Sequence, residues 1–119
     1  MAQIIAITQL DQWQEIWARA SAQDAPPALV FKRSPICPTS HAAESIFNDF
    51  IKHLPKQSTL AVYSVDVIGA RPASQRIAAD TKVRHESPQA LLIEGGRVIW
   101  HASHGDIDHS SLQEHVSSL

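Results

Sequence analysis

A chain of 119 residues has room for one domain, 1–119, and its 44% apolar and 18% charged residues are those of an ordinary globular protein. A formal net charge of -2 offers no basic stripe for neutralising phosphates, which argues against a nucleic-acid partner. The start, Met1 to Ile7, lacks a basic n-region and soon meets Gln9 and Asp11, so neither a signal peptide nor a membrane span is expected. With Cys37 as the single cysteine no internal disulfide is possible, and the cytoplasm is the expected compartment.

Ile4 to Thr8 is a short, mostly β-branched run and predicts a strand. Leu10, Trp13, Ile16 and Trp17 recur at helical spacing, which predicts an amphipathic helix over about 10–21, ended by Asp24-Ala25-Pro26-Pro27. Ala28-Leu29-Val30-Phe31 is a compact apolar run with the look of a buried parallel strand. After a loop carrying Ser34, Pro35 and Cys37, the residues Ala43, Ile46, Phe47, Phe50, Ile51 and Leu54 keep a 3.6-residue rhythm. This helix should stop near His53, because Pro55 biases Leu54 away from helical geometry.

Leu60 to Val67 reads as the next strand, followed by a turn at Gly69 and a weak helix over Pro72 to Asp80. Gln89–Ile93 and Arg97–His101 predict two strands joined through Glu94-Gly95-Gly96, a hairpin connection because glycine tolerates positive φ. Asp108 is a good cap for a last helix, with Ile107 stapled onto Leu112 and a buried stripe of Leu112, Val116 and Leu119. The order, a leading βα unit, then βαβ, α, a hairpin and a final helix, is that of the thioredoxin fold. The expected class is therefore α/β, three layers, with a mixed central sheet and helices on both faces.

Cys37-Pro38-Thr39-Ser40 stands where a strand ends and the strongest helix begins. The first turn of a helix exposes unpaired backbone N–H groups and the positive end of the macrodipole, and both stabilise a thiolate, the reactive form of cysteine. Pro38 suits that turn, since its missing N–H costs nothing there. Ser40 occupies the place of the resolving cysteine in a C-x-x-C oxidoreductase; its hydroxyl is expected to reach the thiolate, but it cannot release a mixed disulfide. A second thiol must then come from outside. The plain alternative is a lone cysteine acting as a small buried hydrophobe, and Lys32 and Arg33 add positive potential nearby unless they are solvated surface charges.

Ser87-Pro88 precedes the hairpin where thioredoxin-like proteins carry a cis-proline beside the active thiol, leaving the Ser87 backbone free to pair with an extended substrate. His85, His101 and His104 lie near the same hairpin. Their spacing matches no closed zinc pattern and one thiol makes a poor soft site, so no metal is expected. The three tryptophans read as core and rim residues.

Phe31-Lys32-Arg33-Ser34 with Cys37-Pro38-Thr39-Ser40, then Val83-Arg84-His85-Glu86-Ser87-Pro88-Gln89 and Val98-Ile99-Trp100-His101-Ala102-Ser103-His104, closely resembles the monothiol bacilliredoxin family of the thioredoxin superfamily. The resemblance runs over nearly the whole chain. It implies Cys37 as the reactive cysteine, Ser40 in place of a resolving thiol and Pro88 as the cis-proline. The implied reaction removes bacillithiol, a bacterial low-molecular-weight thiol, from protein mixed disulfides, with no further cofactor. Pro35-Ile36 and Gly105 depart from the family pattern, the first making the approach to Cys37 more apolar. Two other roles compete: an iron-sulfur carrier like the monothiol glutaredoxins, which have glycine where this chain has Pro38, and a redox-silent adaptor binding peptides along Ser87.

Overall fold

A computed structural model describes residues 3–116. The elements are β1 (Ile4–Ile7), α1 (Leu10–Ala20), β2 (Ala28–Arg33), α2 (Pro38–Lys52), β3 (Ala61–Asp66), α3 (Arg71–Thr81), β4 (Gln89–Glu94), β5 (Arg97–Ser103), a 3-10 turn (His104–Asp106) and α4 (His109–His115). They build one five-stranded sheet in the order β1-β3-β2-β4-β5. β1, β3 and β2 pair in parallel, while β4 pairs antiparallel with β2 on one side and with the edge strand β5 on the other. This is the thioredoxin-like mixed sheet that the element order predicts.

Side-chain parity along the strands divides the interior in two. Ala28 and Val30 of β2 join Trp13, Ile16, Tyr63, Ile77 and Leu91 under α1 and α3. Leu29 and Phe31 join Phe47, Phe50, Leu92, Ile107 and Leu112 under α2 and α4. Both faces of β2 are thus covered, which is why its apolar residues run on without alternation. Trp13 is fully buried and its indole Nε1–H donates to Asp80 across 2.9 Å, tying α1 to α3.

The hairpin turns on Gly95 and Gly96, both at positive φ (63° and 78°), the conformation a two-residue turn between twisted strands demands. Asp108 caps α4 by accepting the Ser111 N–H at 2.8 Å, and Ile107 and Leu112 share one cluster as the staple predicts. Leu119, the third residue of the expected stripe, lies outside the described residues. β2 runs two residues beyond the expected Phe31, to Arg33, because β3 and β4 on either side continue its ladder.

That extension corrects one expectation. Lys32 is not a solvated surface charge: parity turns it to the α3 side with Ala28 and Val30, and it is fully buried. Arg33 points to the other side, half-buried, 3.7 Å from the Glu44 carboxylate.

Candidate functional site

The C-terminal ends of β2 and β3 and the start of β4 meet at one end of the sheet. At this end Cys37 is the N-cap of α2, in extended conformation (φ -103°, ψ 120°), with Pro38 as the first helical residue. Its carbonyl accepts the first helical bond, from the His41 N–H at 3.1 Å. Thr39 and Ser40 follow in the first turn, where amide groups have no partner further back in the helix. Cys37 is half-buried, and its thiol is the single sulfhydryl of the chain. Its neighbour in the chain, Ile36, is 78% exposed, an apolar side chain held in solvent.

The helix holds its own approach loop in place. Ser40 is completely buried, and its Oγ accepts the Ser34 N–H at 2.8 Å. His41 Nε2 donates to the Pro35 carbonyl at 2.8 Å, and the Cys37 N–H closes the turn onto the Ser34 carbonyl at 3.4 Å. Ser40 therefore clamps the loop, where the sequence reading expects it to reach the thiolate. Phe31 stacks on Phe47 with ring centroids 4.5 Å apart, which locks α2 against β2 and so sets where Cys37 stands.

The Ser87–Pro88 peptide is cis. Pro88 is buried, and its carbonyl accepts the His104 N–H at 3.0 Å. Gln89, 1% exposed, donates from Nε2 to the Arg84 carbonyl at 2.9 Å and so closes the 84–88 loop from inside the sheet. The Glu86 carboxylate is held below its ordinary range by a hydrogen bond from Ser103, aided by the charges of His104, Arg84 and His101. Among the described residues no three His, Cys, Asp or Glu side chains gather as metal ligands.

Behind the loop lies a contact that motif reading does not find. The Lys32 ammonium donates to the Ser74 carbonyl at 3.1 Å and contacts His85 Nδ1 at 3.0 Å. An ammonium has no lone pair, so Nδ1 accepts and the His85 ring proton sits on Nε2. Burial lowers the Lys32 pKa to about 8. Burial first, then the charges of Lys32 and Arg71, hold His85 below the usual imidazole value against an opposing pull from Glu86. One signal in the sequence pointed this way: a charged residue adjoining a strand that reads as buried on both faces.

A thioredoxin-like sheet with one cysteine capping the helix after its central strand defines a thiol redox protein. Comparison with known proteins sharpens that class. The profile of the family described as monothiol bacilliredoxin BrxC matches residues 5–112, and the chain belongs to this family. A solved thioredoxin-fold protein described as a candidate oxidoreductase is 32% identical, with a TM-score of 0.76 over 93% of this chain and 91% of that one. Thioredoxins of Malassezia sympodialis (18% identity, TM-score 0.72, 99% of this chain and 91% of that one) and Nicotiana alata (14%, 0.76, 98% and 92%) share the fold.

Proposed function

We propose that this protein removes a low-molecular-weight thiol, bacillithiol in the first instance, from protein mixed disulfides through Cys37. The observation that carries the reading is the Cys37–Ser40 pair: a half-buried cysteine at a helix mouth, and a buried hydroxyl committed to the loop at the place where a second sulfur would resolve the product. The Cys37 thiolate attacks the bacillithiol sulfur of the mixed disulfide. A new disulfide forms between Cys37 and bacillithiol, the old one breaks, and the target cysteine leaves as a thiolate that takes a proton from water. No net oxidation occurs in this step.

Release needs an external thiol. A second bacillithiol thiolate attacks the sulfur of the bound one, expelling the Cys37 thiolate and leaving a symmetric bacillithiol disulfide; Cys37 is reduced and the incoming thiol oxidised. Thr39 and Ser40 support the thiolate with their backbone N–H groups, and Pro38 starts the turn that presents them. Ser87 and Pro88 position the substrate, the Ser87 backbone offering an edge to an extended chain. Exposed Ile36 suits protein substrates, whose surfaces bring apolar contacts to the sulfur. A chain with a single thiol fits work in the cytosol.

The test is intact mass spectrometry of the reduced protein incubated with a bacillithiolated protein. A bacillithiol adduct should appear on Cys37 while the target loses it, and Cys37→Ser should accept nothing. Transfer from no small-thiol mixed disulfide at all would remove the proposal. Colour after anaerobic reconstitution with iron and sulfide would favour the cluster carrier.

A further inference from the structure

On the α3 side of the sheet, at the same end as Cys37, a pocket of about 220 Å³ is lined by Val67, Arg71, Ser74, Gln75 and His85. It is joined to the active-site loop through the Val67 N–H, which donates to the Arg33 carbonyl at 3.0 Å, and to the Pro88 loop through His85. Its walls supply donors far more than acceptors. Lys32, fully buried, is bonded to two of the lining residues, Ser74 and His85. With Nδ1 accepting from Lys32, His85 is left with a donating Nε2–H.

Among the described residues neither Lys32 nor Arg71 forms an ion pair with a carboxylate. Of the two acids nearest in the chain, Asp66 accepts the Ile68 and Gly69 N–H groups, and Glu86 is held below its ordinary range chiefly by Ser103. Ser74 is 1% exposed and its Oγ has no partner, and the N-terminus of the eleven-residue α3 adds its positive end at Arg71. Buried ammonium groups are ordinarily paired, because an uncompensated one forfeits its hydration. A buried cation, an unpaired arginine, an orphan hydroxyl and a helix start around one pocket describe a site whose counter-ion comes from outside.

We infer that this pocket is an anion subsite that takes a carboxylate of the low-molecular-weight thiol while its sulfur reacts at Cys37. The inference rests on the thiol-transfer reading above and names the part of the small thiol that is recognised. The Arg71 guanidinium presents a fork matched to a carboxylate, and Ser74 Oγ and His85 Nε2 supply further donors. The nearby Lys32 charge makes the subsite prefer anionic thiols to neutral ones of the same size.

The experiment uses the full chain and one single-cysteine test protein, blocked in turn as mixed disulfides with 3-mercaptopropionate, 2-mercaptoethanol and cysteamine. Adduct transfer to Cys37 is followed by intact mass, and succinate is titrated into the Cys37→Ser protein while the His85 ring resonances are watched. Wild type should favour the carboxylate-bearing disulfide by about tenfold or more, the scale of one charge-assisted hydrogen bond. Arg71→Ala should abolish that preference and Arg71→Lys restore part of it, and succinate should move His85 saturably in the millimolar range.

Equal transfer from all three disulfides in wild type overturns the inference, as does an unmoved His85. A moved His85 without a kinetic preference also overturns it, since the pocket would then bind a carboxylate other than the thiol's. If Cys37 accepts no adduct from any of them, the thiol-transfer reading fails by itself, and the succinate titration still reports whether the pocket takes an anion.

Discussion

The Ser40 hydroxyl accepts the Ser34 N–H from inside the first turn of α2, in the position where a dithiol enzyme carries its second sulfur. Replacing it by cysteine exchanges a good acceptor for a poor one and should cost about 1 kcal/mol of stability. It should also place a resolving thiol beside Cys37. Ser40→Cys, treated with a small-thiol mixed disulfide, is expected to shed the adduct and settle at the mass of the reduced protein less two hydrogens. Persistence of the adduct would mean that the buried position cannot reach the sulfur. The placement of Cys37 and Ser40 at the start of α2 was legible in the sequence because it depends on local order, a strand end followed by a helix start. Lys32 and Gln89 were not, because nothing local says that a charged or amide residue at the end of an apolar strand has its partners in α3 or in the loop five residues back.

Among the elements, α3 has the weakest pattern in the sequence, and its end is one of two places among the described residues where a non-glycine residue takes positive φ, His104 being the other. Lys82 closes the helix in the left-handed region (φ 61°), donating its N–H to the Ala78 carbonyl at 3.0 Å. A residue with a Cβ is strained there, and helices commonly place glycine at such a stop. Lys82→Gly should therefore raise stability by about 0.5–1 kcal/mol, read as a higher urea midpoint with an unchanged slope. An unchanged or lower midpoint would show that the strain is absorbed elsewhere. Strand and helix identities were legible from period and punctuation. Boundaries were less so: β2 and β5 each run two residues past the apolar signal, since strand ends are set by what the neighbouring strand pairs, as in Lys32 against Gln89 and Gln89 against Ser103.

For the whole molecule, the part-buried Lys32–His85 contact couples folding to pH. Burial brings the folded-state pKa of Lys32 from 10.5 down to about 8. Between these values the unfolded chain holds a proton on Lys32 that the folded chain has released, so the Lys32 contribution to stability rises as pH increases from about 8 towards 10.5. At about 1.4 kcal/mol per pKa unit the span is on the order of 3 kcal/mol. His85 works in the same sense at lower pH, because its folded pKa also lies below the unfolded one: the unfolded chain takes the proton more readily, and stability falls as acid is added below the ordinary imidazole range.

Lys32→Met fills the same space without a charge, so it should lack the alkaline rise altogether. It should also soften the acid loss, since one of the charges opposing His85 protonation is removed. Subtracting the variant's stability-against-pH curve from that of wild type cancels what the two proteins share. The difference should climb above pH 8, and a flat difference there would mean that Lys32 is solvated in the folded protein, removing the buried cation on which both the coupling and the anion subsite depend.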